Sequence, residues 1–166
     1  NCGHDISISI IADRSIDKKK FENDQIKFTS DIMSVVDSDC DLVVELIGGT
    51  DISFNLVKEA IKNKKGVITA NKALIAEHGD EILELTFENN TYVGYEAAVA
   101  GAIPIINVLK HNMLNENIIS ISGIINGTCN YILDNMSTEK KSFSDCLKRA
   151  QELGYAESDP TFDIGG

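Results

Sequence analysis

The sequence predicts an α/β protein, a parallel sheet alternating with helices and followed by a smaller α+β segment. Short β-branched runs recur at Ile6–Ala12, Leu42–Ile47, Val67–Ala70 and Thr91–Tyr95, too widely spaced for hairpins. Helix-like stretches fill the gaps around Val67–Ala70, which is the rhythm of right-handed parallel crossovers. After Tyr95 the rhythm stops. Ala97–Ala102 is small and apolar, and a helix-rich region with one further strand follows.

The first run reads Ile-Ser-Ile-Ser-Ile-Ile-Ala and ends at Asp13-Arg14-Ser15, with polar sequence to about Asp24. Ser30 to Val36 reads as a short helix with Ser30 as candidate N-cap, since a serine oxygen can accept from a first-turn amide. Leu42 to Ile47 is nearly all apolar, the pattern of a strand covered on both faces, and Gly48-Gly49-Thr50-Asp51 breaks it. From Ile52 to Asn63 the residues Phe54, Val57 and Ile61 recur at helical spacing. Lys62, Lys64 and Lys65 follow, where cations offset the helix dipole, and Gly66 closes the helix.

Val67 to Ala70 is the next strand, Asn71 to Glu88 a helix with a weak point at Gly79, and Thr91 to Tyr95 the fourth strand. Pro104 falls in the tolerated first turn of a helix reaching about Asn112. Ile118 to Ile125 alternates imperfectly and reads as a longer strand. Thr128–Met136 and Phe143–Leu153 are helices, the second capped by Ser142 with Asp145 three positions later. A boundary near Gly94 divides the chain into residues 1–94 and 95–166.

Charge narrows the function classes. The formal net charge of −11 argues against nucleic acid, because phosphate binding needs clustered Lys and Arg. Lys18-Lys19-Lys20 is the one basic run and reads as a solvated helix face. No apolar run approaches the ~20 residues that span a bilayer. Cys2, Cys40, Cys129 and Cys146 match neither a zinc pattern nor a disulfide framework, which points to a reducing, cytoplasmic compartment. His4, His78 and His111 are scattered singly, so a metal cluster or a Ser-His-Asp triad has no local support.

Ligands of open parallel sheets bind beyond the carboxyl ends of the strands, and three such ends carry suggestive residues. Gly48-Gly49 would let a planar ligand approach the backbone, or is an ordinary strand-to-helix turn. Asn71-Lys72 places an ammonium over a strand end, or is an exposed lysine. Arg14 sits where a dinucleotide fold reads the adenosine ribose or its phosphate, while Asp13 beside it argues for the opposite cofactor choice. No Gly-x-Gly-x-x-Gly turn precedes Ile6. Near the end, Tyr155, Glu157, Asp159 and Asp163 gather around Pro160, as an ammonium-binding loop or as acidic surface.

Segments 67–76 (VITANKALIA), 94–106 (GYEAAVAGAIPII), 123–133 (GIINGTCNYIL) and 153–163 (LGYAESDPTFD) resemble, in this order, the homoserine dehydrogenase family. The likeness runs from Leu42 to the end, and the first forty residues fit loosely. The resemblance implies an incomplete Rossmann-like NAD(P)-binding domain (1–94) followed by the start of a substrate and dimerisation domain (95–166). It implies an oxidoreductase interconverting L-aspartate 4-semialdehyde and L-homoserine, in threonine and methionine synthesis, with NADP or NAD.

By position, Ile47, Gly48 and Gly49 would contact the cofactor. Lys72 would face both cofactor and substrate as a catalytic residue, distinct from the family's proton-donating lysine. Glu157 would hold the substrate ammonium, with Tyr155, Asp163, Gly127 and Thr128 completing the pocket. Backbone carbonyls of Glu96, Val99, Gly101 and Ile103 would hold a structural sodium ion. A homodimer is implied.

The family's Gly-rich loop and its acid–base Asp and Lys find no counterpart within these residues. The segment by itself is therefore expected to be an inactive internal portion. A second reading is a catalytically incomplete fragment or paralogue acting as a ligand-binding or regulatory module.

Overall fold

A computed structural model describes residues 3, 5–15, 25–156 and 160–161. They fall into two compact units, Asn1–Asn112 and Met113–Gly166. The basic run at Lys18, the residue His4, and the carboxylates Glu157, Asp159 and Asp163 lie outside the described residues.

In the first unit, β1 (Ile10–Ala12) pairs in parallel with β2 (Lys27–Thr29). A separate parallel sheet has the order β3 (Leu42–Glu45), β4 (Gly66–Thr69), β5 (Val93–Gly94). Helix α1 (Met33–Val36) precedes β3, α2 (Asp51–Lys62) joins β3 to β4, and α3 (Lys72–Asn89) joins β4 to β5. The strand–helix–strand reading is correct. Leu56, Val57, Ala60 and Ile61 of α2 and Leu74 and Ile82 of α3 bury against Val43, Val67 and Val93. A three-to-four residue spacing puts those side chains on one helix face.

Local expectations changed where hydrogen bonding decided otherwise. Strand β1 is shorter than the run from Ile6, because its partner β2 offers only three residues; Ile6 itself is 82% exposed. Helix α1 is held at its start by Asp31, whose Oδ1 accepts from Met33 N at 3.0 Å, and not by Ser30. Gly66 does not close α2. Asn63 caps it, Lys64 takes the left-handed turn (φ 63°), and Gly66 opens β4 against the ring of Tyr92. The ammonium of Lys65 is turned inward, donating to the carbonyls of Ser38 (2.6 Å) and Cys40 (2.8 Å). That of Lys64 reaches the carbonyl of Asn89 at the end of α3, where a cation is favoured. Helix α3 passes through Gly79 without interruption.

Among the described residues of this unit, the sheet is covered on one face only. Alternation buries Val43, Glu45, Val67 and Thr69 toward α2 and α3, and leaves Val44 54% exposed and Ile68 at the margin of exposure. The expectation of a strand buried on both faces does not hold among the described residues. Beyond β5, a tight turn at Glu96–Ala98 leads to α4, helical from Ile105 to Asn107 and widening to a π-type turn over Val108–Asn112. Pro104 is its cap.

In the second unit, α5 (Gly127–Glu139) and α6 (Phe143–Glu152) pack through Ile132, Cys146 and Ala150, with Ala156 beneath. Ser142 caps α6 as expected, accepting from Asp145 N at 3.2 Å and donating to its carboxylate at 2.6 Å. The strand expected at Ile118–Ile125 is absent. Ile119 and Ile125 are each 96% exposed, and no partner strand lies beside them among the described residues. Alternating sequence becomes a strand only when a neighbour satisfies its amides.

No helix among the described residues is long and apolar enough to cross a membrane.

Candidate functional site

The carboxyl ends of β3 and β4 lie side by side in the first unit, in the register Glu45↔Thr69. Past β3 the chain turns through Ile47, Gly48 and Gly49, all exposed, and both glycines adopt left-handed φ (79° and 73°). A side chain there would be strained, although nothing lies within 4 Å of either position. The result is open backbone over a strand edge, the surface a flat ligand ring needs.

Past β4 the chain reaches Asn71, which caps α3. Its Oδ1 accepts from Leu74 N (3.1 Å) and its Nδ2 donates to the Gly49 carbonyl (2.6 Å). That second bond ties the two loops together. Lys72 follows as the first residue of α3 and is exposed. The structure thus brings Ile47, Gly48, Gly49 and Lys72 to one edge. A cation at a helix N-terminus opposes the dipole, so the dipole does not account for its position.

Beneath this edge lies a carboxylate that the sequence reading passed over. Glu45 is fully buried. Its Oε1 accepts from Ile47 N (2.7 Å), Gly48 N (3.3 Å) and Ser53 Oγ (3.2 Å), and its Oε2 accepts from Thr69 Oγ1 (2.6 Å). Ser53 Oγ also lies 3.1 Å from the Gly48 carbonyl, and Thr69 Oγ1 accepts from Asn71 N at 3.0 Å. The signal was present: one glutamate inside Leu-Val-Val-Glu-Leu-Ile.

Elsewhere in this unit, Arg14 and Asp13 follow β1. The carboxylate of Asp13 accepts from Ser15 N (2.7 Å) and lies 3.2 Å from Ser15 Oγ, so it is folded back on its own turn. The segment carrying Glu96, Val99, Gly101 and Ile103 makes a tight loop in which Ala100 and Gly101 are consecutively left-handed (φ 55° and 60°). The carbonyls of Glu96 and Ile103 accept from Val99 N (3.2 Å) and Ile105 N (2.8 Å). The Glu96 side chain caps α4, taking Ile106 N (2.9 Å) and Asn107 N (2.8 Å).

In the second unit, Gly154 (φ 78°) turns the chain back so that Tyr155 lies over the start of α5. Thr128 Oγ1 donates to the Tyr155 carbonyl at 2.6 Å, and the rings of Tyr131 and Tyr155 stand 4.9 Å apart. Asn126 caps α5, its side chain accepting from Cys129 N at 2.8 Å. Gly127, Thr128 and Tyr155 are therefore brought together. Glu157 and Asp163 lie outside the described residues.

Parallel strands joined by helices, with open glycine backbone at the carboxyl edge of the sheet, place the first unit in the Rossmann-like α/β class. The model of the homoserine dehydrogenase NAD binding domain matches residues 3–96, and that of homoserine dehydrogenase matches residues 104–166. The chain belongs to the homoserine dehydrogenase family. Over 99% of its length it is 48% identical to homoserine dehydrogenase of Neisseria gonorrhoeae and 46% identical to that of Pseudomonas aeruginosa, covering 38% of each.

Among solved structures, a homoserine dehydrogenase from Thiobacillus denitrificans aligns with a TM-score of 0.85 at 46% identity, over 94% of this chain and 36% of that one. A hyperthermophilic archaeal homoserine dehydrogenase in complex with NADPH aligns with a TM-score of 0.72 at 34% identity, over 81% of this chain and 42% of that one. The chain thus spans well under half the length of these relatives.

Proposed function

We propose that this protein is an NAD(P)-dependent oxidoreductase that interconverts L-aspartate 4-semialdehyde and L-homoserine, in threonine and methionine synthesis. The observation that carries the reading is the juxtaposition of the open Gly48-Gly49 backbone with Asn71-Lys72 at one sheet edge. Residues 1–94 would serve the cofactor, and residues 95–166 would begin the substrate and dimerisation domain; the matches to 3–96 and 104–166 support that division. A cytoplasmic homodimer is part of the proposal.

The cofactor, when bound, supplies or accepts the hydride. Ile47, Gly48 and Gly49 would line its nicotinamide side, and the open glycine backbone fits a flat ring. Lys72 would donate hydrogen bonds to cofactor and substrate, and its charge would favour the substrate oxygen as negative charge develops there. The N-terminus of α5 at Gly127-Thr128 suits the substrate carboxylate, because helix amides and dipole attract anions. Glu157 would pair with the substrate ammonium, with Tyr155 and Asp163 closing the pocket. Carbonyls of Glu96, Val99, Gly101 and Ile103 would hold a sodium ion, hard oxygen donors being the right class.

The test is homoserine oxidation by the full-length protein, followed at 340 nm with NAD and with NADP. Turnover with either supports the reading; cofactor binding without turnover would favour a ligand-binding module instead. Glu157→Gln is expected to raise KM for homoserine at least about tenfold while leaving cofactor KM unchanged. An unchanged homoserine KM removes Glu157 from the ammonium site.

A further inference from the structure

An ionisable group inside a strand is costly to bury unless its oxygens are engaged, and a well-packed apolar residue of that size is often at least as stabilising. Glu45 is fully buried and engaged at both oxygens. What it engages is informative. Two of its four donors are the amides of Ile47 and Gly48, at the start of a loop whose two glycines leave it free to adopt many conformations.

The remaining donors, Ser53 on α2 and Thr69 on β4, anchor that loop to two other elements. Ser53 also lies beside the Gly48 carbonyl, and Thr69 accepts from Asn71, whose side chain holds the Gly49 carbonyl. One carboxylate therefore links the loop at Ile47–Gly49 to the start of α3 at Asn71-Lys72.

We propose that Glu45 is a positioning residue of the cofactor site. It holds the glycine loop and the Lys72 helix start in one arrangement before the ligand arrives, so that ordering the loop does not subtract from affinity. The inference rests on the cofactor reading above. It assigns Glu45 no contact with substrate or cofactor.

The experiment measures three quantities in the full-length protein: Kd for NADH and NADPH by their own fluorescence, KM for cofactor and for homoserine, and melting temperature. Glu45→Ala should raise cofactor Kd and KM by about tenfold or more, with homoserine KM at saturating cofactor within about twofold of the unmodified protein. Glu45→Gln should recover cofactor affinity to within about threefold. Its amide oxygen can accept from Ile47, Gly48 and Ser53 while its NH2 donates to Thr69 Oγ1, whose hydroxyl rotates away.

Should the alanine variant fail to fold, the near-isosteric Thr69→Val decides. It removes one donor to Glu45 and the acceptor for Asn71 N, and should raise cofactor KM about fivefold. A general loss of packing would lower the melting temperature without separating the two KM values. Unchanged cofactor affinity in Thr69→Val, or equal rises in both KM values, overturns the inference while leaving the dehydrogenase reading intact. If the unmodified protein binds neither NADH nor NADPH, the cofactor reading falls and the inference with it.

Discussion

Helices α3 and α5 begin alike and present opposite chemistry. Each has an extended asparagine at its N-cap, Asn71 (φ −88°, ψ 98°) and Asn126 (φ −119°, ψ 108°), with the side chain accepting from the amide three residues on. After Asn71 comes Lys72, a cation placed against the positive end of the dipole; after Asn126 come Gly127 and Thr128, which are neutral and small. A helix start with neutral small residues is suited to an anion. One that carries its own ammonium is suited to a polarised oxygen or an amide. On the proposed function, the same capping device would present one helix start to the cofactor and another to the substrate carboxylate.

The largest effect separates function from stability at α3. Lys72→Ala is expected to lower kcat about a hundredfold or more, in the range of losing an electrostatic stabiliser of developing charge. Removing a cation from a helix N-terminus, and placing alanine there, favours the helix. The melting temperature should therefore fall modestly at most. Near wild-type turnover would remove Lys72 from the chemistry. Lost turnover accompanied by a large fall in melting temperature would make its role structural, and the contrast with α5 would lose its meaning.

The next largest effect distinguishes the two caps themselves. Asn71 is buried, and its side chain also donates to the Gly49 carbonyl on the neighbouring loop; Asn126 is half-buried, so water can take over its acceptor role. Asn71→Ala should cost about 2 kcal/mol, combining a lost cap with the lost bond to the Gly49 carbonyl. The cap bond to Cys129 N alone makes Asn126→Ala cost at least about 1 kcal/mol. Urea midpoints of the full-length variants measure both. A loss at Asn71 of no more than about 1 kcal/mol, the worth of a cap alone, would mean that the loop-to-loop bond contributes nothing to stability.

How much of this was readable beforehand follows from how local each feature is. The face of α2, the strand at Val67, the helix from Asn71 and the Ser142 cap of α6 depend on residues within a few positions of each other, and all were legible. Strand β2 was missed because Lys-Phe-Thr has no pattern of its own; it exists by pairing with Ile10–Ala12. The segment Ile118–Ile125 failed in the opposite sense, having the pattern without a partner.

At the candidate site, the exposed residues at strand ends were legible from the βαβ rhythm and the family likeness. The buried Glu45, Ser53 and Thr69 beneath them were not. Their meaning depends on a register between β3 and β4 and on one turn of α2, neither of which is written in the strand itself. The glycines announced a loop, while what holds the loop in shape stayed hidden.

The smallest effect is at the other ends of the same two helices. Each is followed by a non-glycine residue in the left-handed conformation, Asn90 (φ 52°, ψ 47°) after α3 and Lys140 (φ 55°, ψ 31°) after α5. For a residue with an ordinary Cβ that conformation costs about 1–2 kcal/mol, whereas asparagine tolerates it better. Glycine removes the strain but loses about 0.5–1 kcal/mol more conformational freedom on folding. The two terms leave Lys140→Gly stabilising by about 0.5–1 kcal/mol and Asn90→Gly near zero. Both side chains are exposed, so little packing confuses the comparison. Paired urea melts of the full-length variants test it. A gain at Asn90 equal to that at Lys140 would show that asparagine gives α3 no relief at its C-terminus, and the likeness between the two helices would extend from their first residues to their last.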